Sequence, residues 1–367
     1  MASTVMFILS GLLIGAAVGW SMQRGRFCIN SAFREVLFQD YTMFRAYFIA
    51  VIVAMVGANL FEDMGWLLQS DGAGGMVAGE LYRQAFAPWA NIIGGYIFGM
   101  GIVLAGGCGS GILFRVGEGS LAYVLAVFGF FFGIVVTKFG FLKPVYDWMI
   151  APERIVWLNG DTVPTLYNVI GVNKWIVIAV VSVPMLWFVY QGKPFNRAKK
   201  GYSWYVVGAL IGLVAVAAFW ASAYFGGRAR GLSFTGPVRE FFLGVFFGNS
   251  WFGGNVPANE SMSLLGLTVS WSSLYVLAVP IGGYLSARLL QEFKLKVPPP
   301  NELVKVMFGG FVMGIGAQIG GGCNIGHSLT GVATLAVSSW VANIFIILGN
   351  WTMVYFLLIK PMQDLDV

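Results

Sequence analysis

Three cysteines carry the chemistry open to this chain, and two of them sit in the same glycine-rich setting. Around Cys108 the sequence reads NIIGGYIFGMGIVLAGGCGSGIL, and around Cys323 it reads VMFGGFVMGIGAQIGGGCNIGHS. With the two cysteines superposed, 215 residues apart, Gly94 falls on Gly309, Gly95 on Gly310, Gly99 on Gly314, Gly101 on Gly316, Gly106 on Gly321, Gly107 on Gly322 and Gly111 on Gly326. So many coincident glycines indicate an internal duplication with a thiol in each copy.

Each thiol stands where a helix begins after a break: GGC before GSGILF, GGGC before NIGHSLTG, and GRFC before INSAFRE. Glycine pairs allow unusual dihedrals and close backbone approach. A helix start offers free N–H groups and the positive end of the helix dipole to an anion. The thiol itself is soft, polarizable and a weak donor. Together these groups suit an anion with a soft sulfur or selenium end. A row of thiolates would repel such an anion, so the thiols must be mostly neutral even though helix starts lower thiol pKa values. The candidate contact set is Cys28, Cys108 and Cys323, with Gly107, Gly109, Gly322 and Gly326 shaping the loops. Asn30 and Asn324 are candidate anion donors, and His327 is a cap or gate of its loop. Arg34–Glu35 and Arg239–Glu240 read as matched ion pairs, with Arg26 also beside Cys28.

The elements that must hold these groups are membrane helices. Hydrophobic residues make up 58% of the 367, charged residues only 10%, and the mean hydropathy is +0.77, a composition that excludes an ordinary soluble domain. Apolar runs long enough to cross a ~30 Å hydrocarbon core occur at 4–22, 43–61, 88–106, 119–138, 174–191, 202–222, 271–290, 303–321 and 333–358. The fold class expected is therefore an all-α polytopic membrane protein with about nine transmembrane helices. Two shorter apolar stretches, 28–39 and 237–250, read as re-entrant helices, which membranes tolerate only where protein or water surrounds them.

The duplication extends upstream, where GLLIG from Gly11 resembles GALIG from Gly208. CINSAFRE, ending at Glu35, lies on SFTGPVRE, ending at Glu240, which places Ser233 opposite Cys28. The expected organisation is a single transmembrane domain: repeat one 1–138, a linker with one span at 139–201, and repeat two 202–367. Equivalent spans are then an odd number apart, so the repeats are inverted, as in many transporters with a midplane site. Lys193, Arg197, Lys199 and Lys200, with Arg288, Lys294, Lys296 and Lys305, mark cytoplasmic loops by the positive-inside rule. The N-terminus is thus expected outside and the C-terminus inside. The first 21 residues lack a basic start and carry the repeated GLLIG, so they read as fold rather than signal peptide.

Other classes find little support. The odd cysteine count argues against a disulfide framework. A Cys3His zinc site around His327 has no CxxC spacing behind it. No nucleic-acid motif or nucleotide-binding loop is present, no cofactor is expected, and the net charge of +6 follows from topology. A membrane sulfurtransferase forming a cysteine persulfide is an enzyme alternative; no base set accompanies the cysteines, so a non-enzyme is expected.

GRFC, AGGCGSG and GGGCNIGHSLTG resemble the YeeE/YedE family of sulfur transporters, and the resemblance spans nearly the whole chain. It implies an hourglass-shaped inner-membrane protein that takes up thiosulfate along a relay of contacts at Cys28, Cys108 and Cys323. It also implies a cytoplasmic partner, a small sulfurtransferase of the TusA/YeeD type. Cargo alternatives within the same class are sulfide, sulfite, a polysulfide or a selenium species. The parity and charge reading yields one direct expectation. A reporter fused after Val367 should report a cytoplasmic location, and periplasmic activity there would refute the inverted topology.

Overall fold

Glycine spacing decides how these helices meet. In a bilayer, lipid tails are as apolar as leucine, so helices associate through close packing at small residues. The computed structural model describes residues 2–70, 75–158, 160–192, 201–248, 261–264 and 267–365, and these are overwhelmingly helical. The first copy comprises α1 (Ala2–Gly25), α2 (Ile29–Val36), α3 (Thr42–Asp63), α4 (Pro88–Leu104), α5 (Gly109–Gly117) and α6 (Leu121–Lys138). Between the copies lie α7 (Lys143–Met149), α8 (Leu166–Ile170) and α9 (Lys174–Gln191). The second copy comprises α10 (Trp204–Tyr224), α11 (Thr235–Phe247), α12 (Trp271–Leu289), α13 (Pro300–Gly320), a π-helical segment Ile325–Gly331, and α14 (Val337–Val354) leading into α15 (Lys360–Leu365). Two small antiparallel hairpins, Leu68–Ser70 with Met76–Ala78 and Ser261–Leu264 with Leu267–Ser270, decorate the connections.

Among the described residues, eight helical stretches are long and apolar enough to cross a membrane, one fewer than the nine expected. The difference is α12. It has 19 residues, but its Ser272, Ser273 and Ser286 are buried against protein, so its average polarity exceeds that of a lipid-facing helix. The two expected re-entrant stretches are α2 and α11, and the structure adds a third short helix, α5, plus the π segment. Lys193, Arg197, Lys199 and Lys200 lie outside the described residues.

Helices α4 and α13 run antiparallel with their backbones in contact. A Cβ added at Gly94 would lie 2.1 Å from the Gly320 nitrogen, and one at Gly309 would lie 2.2 Å from the Ala105 nitrogen. Likewise, a Cβ at Gly101 would lie 2.4 Å from the Met313 nitrogen and one at Gly316 2.2 Å from the Phe98 nitrogen. Shifting by 215 residues exchanges the members of each pair, which is what a two-fold axis between the helices produces. The outer contacts repeat in the same way. In α1, Gly11 meets Trp271 and Leu274 and Gly15 meets Tyr275 and Ala278, while in α10 Gly208 meets Ala46 and Ile49 and Gly212 meets Ala50 and Val53. Beyond the π segment the shift becomes 216, since Gly95 meets Ala342 and its counterpart Gly310 meets Ala126. The π segment absorbs the extra residue, the usual origin of such bulges.

Both central helices end on a left-handed glycine, Gly106 (φ +71°) and Gly321 (φ +83°), the conformation that closes a helix and turns the chain. The turn delivers each cysteine to the head of the next helical segment. Because the α4–α13 crossing leaves no room for a methyl group at either symmetric position, Gly101→Ala and Gly316→Ala should each destabilise the fold by about 1–3 kcal/mol. Comparable drops in the thermal midpoint of the detergent-solubilised protein would support the paired contact, and an unchanged midpoint for either would contradict it.

Candidate functional site

Cys28 and Cys108 are the N-caps of α2 and α5, and Cys323 directly precedes Asn324, where the helical stretch containing the π segment begins. The Cys28, Cys108 and Cys323 carbonyls accept the first helical N–H of their segments, from Ala32 (3.0 Å), Ile112 (2.8 Å) and His327 (2.8 Å). N-cap positions usually carry Ser, Thr, Asp or Asn, whose oxygen accepts a free N–H of the first turn; the Cys28 and Cys108 side chains make no such cap bond. Cys28 and Cys108 cap different helices, α2 and α5, yet their Sγ atoms lie 3.8 Å apart. Ser110 Oγ lies 3.4 Å from Cys108 Sγ. All three cysteines are free and buried.

The second copy repeats the arrangement with one change of chemistry. A Cβ at Gly111 would lie 3.0 Å from Cys28 Sγ and 3.5 Å from Cys108 Sγ, while one at the equivalent Gly326 would lie 3.1 Å from Ser233 Oγ and 3.9 Å from Cys323 Sγ. Ser233 thus stands to Cys323 as Cys28 stands to Cys108, as the Arg-Glu register places it. Cys323 Sγ accepts N–H bonds from Phe234 at 3.3 Å and Gly326 at 3.5 Å. Phe234 also touches Gly109, whose added Cβ would lie 3.3 Å from the Phe234 Cβ. The buried Phe234 ring therefore stands at the junction of the two half-sites. Tyr275 packs edge-on against it at 5.8 Å, and its hydroxyl bonds both the amide and the carbonyl of Ser233.

The remaining expected residues divide by what holds them. Asn324 Oδ1 accepts the Ser328 hydroxyl at 2.6 Å, while its buried Nδ2 has no partner among the described residues. An unpaired buried donor is uncommon and calls for a ligand or water. Asn30, by contrast, accepts the Asn350 amide at 2.7 Å, a helix-to-helix link across the fold. His327 Nε2 lies 2.9 Å from the Gly320 carbonyl and so must carry the proton, leaving Nδ1 to accept from Ser339 Oγ at 3.1 Å. The imidazole is wedged over Gly322, whose added Cβ would lie 2.8 Å from Nε2. Arg115 covers Gly107 in the same way, with Nη1 donating to the Gly106 carbonyl at 2.7 Å. Arg34 and Glu35 do pair, at 3.4 Å. Their counterparts find other partners: Arg239 donates to Gln318 at 3.2 Å, and Glu240 accepts from Ser270 and Ser272 and pairs with Arg230 at 3.6 Å.

A cavity of about 70 Å³ reaches the second half-site between Ser233, Gly322, Gly326 and His327, with Arg83 and Arg230 on its walls. It shares Tyr82 and Arg83 with a wider basin of about 730 Å³ that also involves Glu62 and Lys174. A small polar solute fits the smaller cavity. Sequence reading passed over Arg115, Phe234 and Tyr275. Phe234 had one available signal, its place beside Ser233 in the duplicated register.

Fold and site together define a helical membrane protein with a duplicated, thiol-centred site. A family model described as sulphur transport matches residues 24–352, and the chain belongs to that family of transporters. The thiosulfate transporter TsuA of Spirochaeta thermophila is 36% identical over 358 residues, covering 95% of this chain and 99% of its own length. The thiosulfate transporter TsuA of Escherichia coli is 29% identical over 375 residues, 97% of this chain and 96% of its own. A probable transporter, YedE of Escherichia coli, is 31% identical over 116 residues, 30% of this chain and 25% of its own.

Proposed function

We propose that this chain takes up thiosulfate across the inner membrane, passing the anion between the half-site at Ser233 and Cys323 and the half-site at Cys28 and Cys108. The observation that carries this reading is the pair of thiols 3.8 Å apart at the heads of two helices, repeated as a hydroxyl and a thiol in the other copy. Full-length similarity to thiosulfate transporters supports the cargo.

The energetics assign a division of labour. Burying an ionised group without partners costs far more than any single contact returns, and thiosulfate carries two charges. Hydrogen bonds to charged groups contribute about 1.5–3 kcal/mol each, so several N–H donors are needed and three weak S–H groups do not suffice. Backbone N–H groups at Gly109–Gly111 and Asn324–Gly326, with the Asn324 amide, supply the stabilisation. The thiols supply preference for the sulfur end. Ser233, a hard hydroxyl beside Cys323, favours the oxygen end at the second half-site and so orients the anion there.

The exchanged α4–α13 contacts support two inverted repeats, 1–138 and 202–367, joined by 139–201. A two-fold axis relating antiparallel helices is perpendicular to them, and therefore lies in the membrane plane when they span the bilayer. With the basic loops on the cytoplasmic side, this reading makes the protein an hourglass with the N-terminus outside and the C-terminus in the cytoplasm, where a TusA/YeeD-like sulfurtransferase would receive the sulfur. Proteoliposomes containing only this chain test the reading through labelled thiosulfate uptake. Wild type should transport; Cys108→Ala and Cys323→Ala should each fall below about one tenth of its rate, and serine at either position should restore little. Full uptake by both alanine variants would end the relay.

A further inference from the structure

Arg26 holds a backbone conformation that arginine rarely adopts, at φ +52°. The duplication supplies an internal control. Arg26 lies two residues before Cys28, and the residue two before Ser233 is Gly231, at φ +64°. The fold thus requires a left-handed residue at this point in both copies. Glycine meets that requirement without strain, and arginine occupies it in one copy only. A non-glycine residue kept there points to work done by its side chain.

The side chain makes two ion pairs. Arg26 Nη1 lies 2.9 Å from Glu118 Oε1 and Nη2 lies 2.7 Å from Glu292 Oε2. Glu118 ends α5, the helix that Cys108 begins, and Glu292 follows α12 in the second copy. The amide of buried Gln23 donates to the same two carboxylates, at 3.3 and 2.9 Å. Near the other half-site the charges are arranged differently: Glu62 pairs with Arg83 and Lys174 along the basin, and Arg228 stands at the position that matches Gln23. Glu118 N–H bonds the carbonyl four residues back, Phe114, as Thr334 N–H bonds Thr330, and Glu292 N–H bonds Ala287 as Trp66 N–H bonds Phe61. The counterparts of the three charged residues are therefore Gly231, Thr334 and Trp66, none of them charged. Three charges from separate parts of the chain meet here, one of them two residues before Cys28, with the arginine half exposed at 52% and the carboxylates more enclosed at 16% and 25%.

We propose that Arg26 is the anion's contact at the mouth next to the Cys28–Cys108 pair, with Glu118 and Glu292 competing for its guanidinium. This rests on the transport reading above. Undisturbed, the bridge ties α5 of one copy to the segment after α12 of the other. A dianion passing Cys28 draws the guanidinium away, and the two carboxylates reclaim it as the anion leaves, so the anion does not remain bound. Without Arg26 the mouth would present two uncompensated carboxylates to a dianion.

Uptake of labelled thiosulfate, sulfite and hydrosulfide into proteoliposomes, together with thermal melting, tests the proposal. Arg26→Gly introduces the residue that the other copy already uses, so it should melt no lower than wild type while losing at least about tenfold in uptake. Adding Glu118→Gln and Glu292→Gln to it should return uptake to within about threefold of wild type. A purely structural bridge would give the opposite, a further loss. Should the glycine variant fail to reach the membrane, Arg26→Asn replaces it, since asparagine also tolerates positive φ. Uptake by Arg26→Gly within twofold of wild type, or no recovery in the triple variant, overturns the proposal. If wild type carries sulfite or hydrosulfide but not thiosulfate, the cargo assignment fails and the Arg26 comparison is scored on the anion carried. If none crosses, both readings fall.

Discussion

The backbone-to-backbone crossing of α4 and α13 is the constraint on which the rest depends. Glycines at 94, 101, 309 and 316 let two helices approach so closely that a methyl group at any of them would collide with main-chain atoms. Both helices then stop at a left-handed glycine, and both following segments begin at a cysteine. Close crossing and early termination are thus one device: they bring two helix starts deep into the fold, where neither could be reached from a regular span. The two-fold relation follows from the crossing, because each contact recurs with its partners exchanged.

The chemistry follows from what such helix starts lack. Their first N–H groups have no intrahelical acceptor, and an oxygen-bearing cap would satisfy one of them. A thiol satisfies them poorly, which leaves donors for a guest anion and adds a soft surface beside them. The unpartnered Asn324 amide is the same kind of vacancy in a side chain. His327 and Arg115 pack over Gly322 and Gly107, one in each loop. In the proposed function, donors already in place stabilise a charged solute at low reorganisation cost.

Much of this was legible in the chain itself. The matched glycines and the shared Arg-Glu ending located both copies, the short helices α2 and α11, and the Cys28–Ser233 equivalence. What escaped was set by partners far away in sequence. Asn30, an anion-donor candidate beside Cys28, has its carbonyl oxygen tied to Asn350, 320 residues on, a link invisible in the sequence. Arg239 and Glu240 copied the Arg34–Glu35 dipeptide without copying its pairing, because Gln318, Arg230 and two serines offered nearer partners. The added residue in the π segment was invisible to a gapless alignment on the cysteines, and it shows only as a one-residue change in which helices' residues meet.

The central claim is that the anion sits at the helix starts, contacted by backbone N–H groups and thiols together. The most direct measurement is a structure of the protein with thiosulfate bound, located by the anomalous signal of its sulfur atoms or by density in a lipid nanodisc. The account predicts an anion at Gly109–Gly111 or Asn324–Gly326, with its terminal sulfur toward Cys108, Cys28 or Cys323. An anion held chiefly by arginine or lysine side chains, remote from all three cysteines, would contradict it.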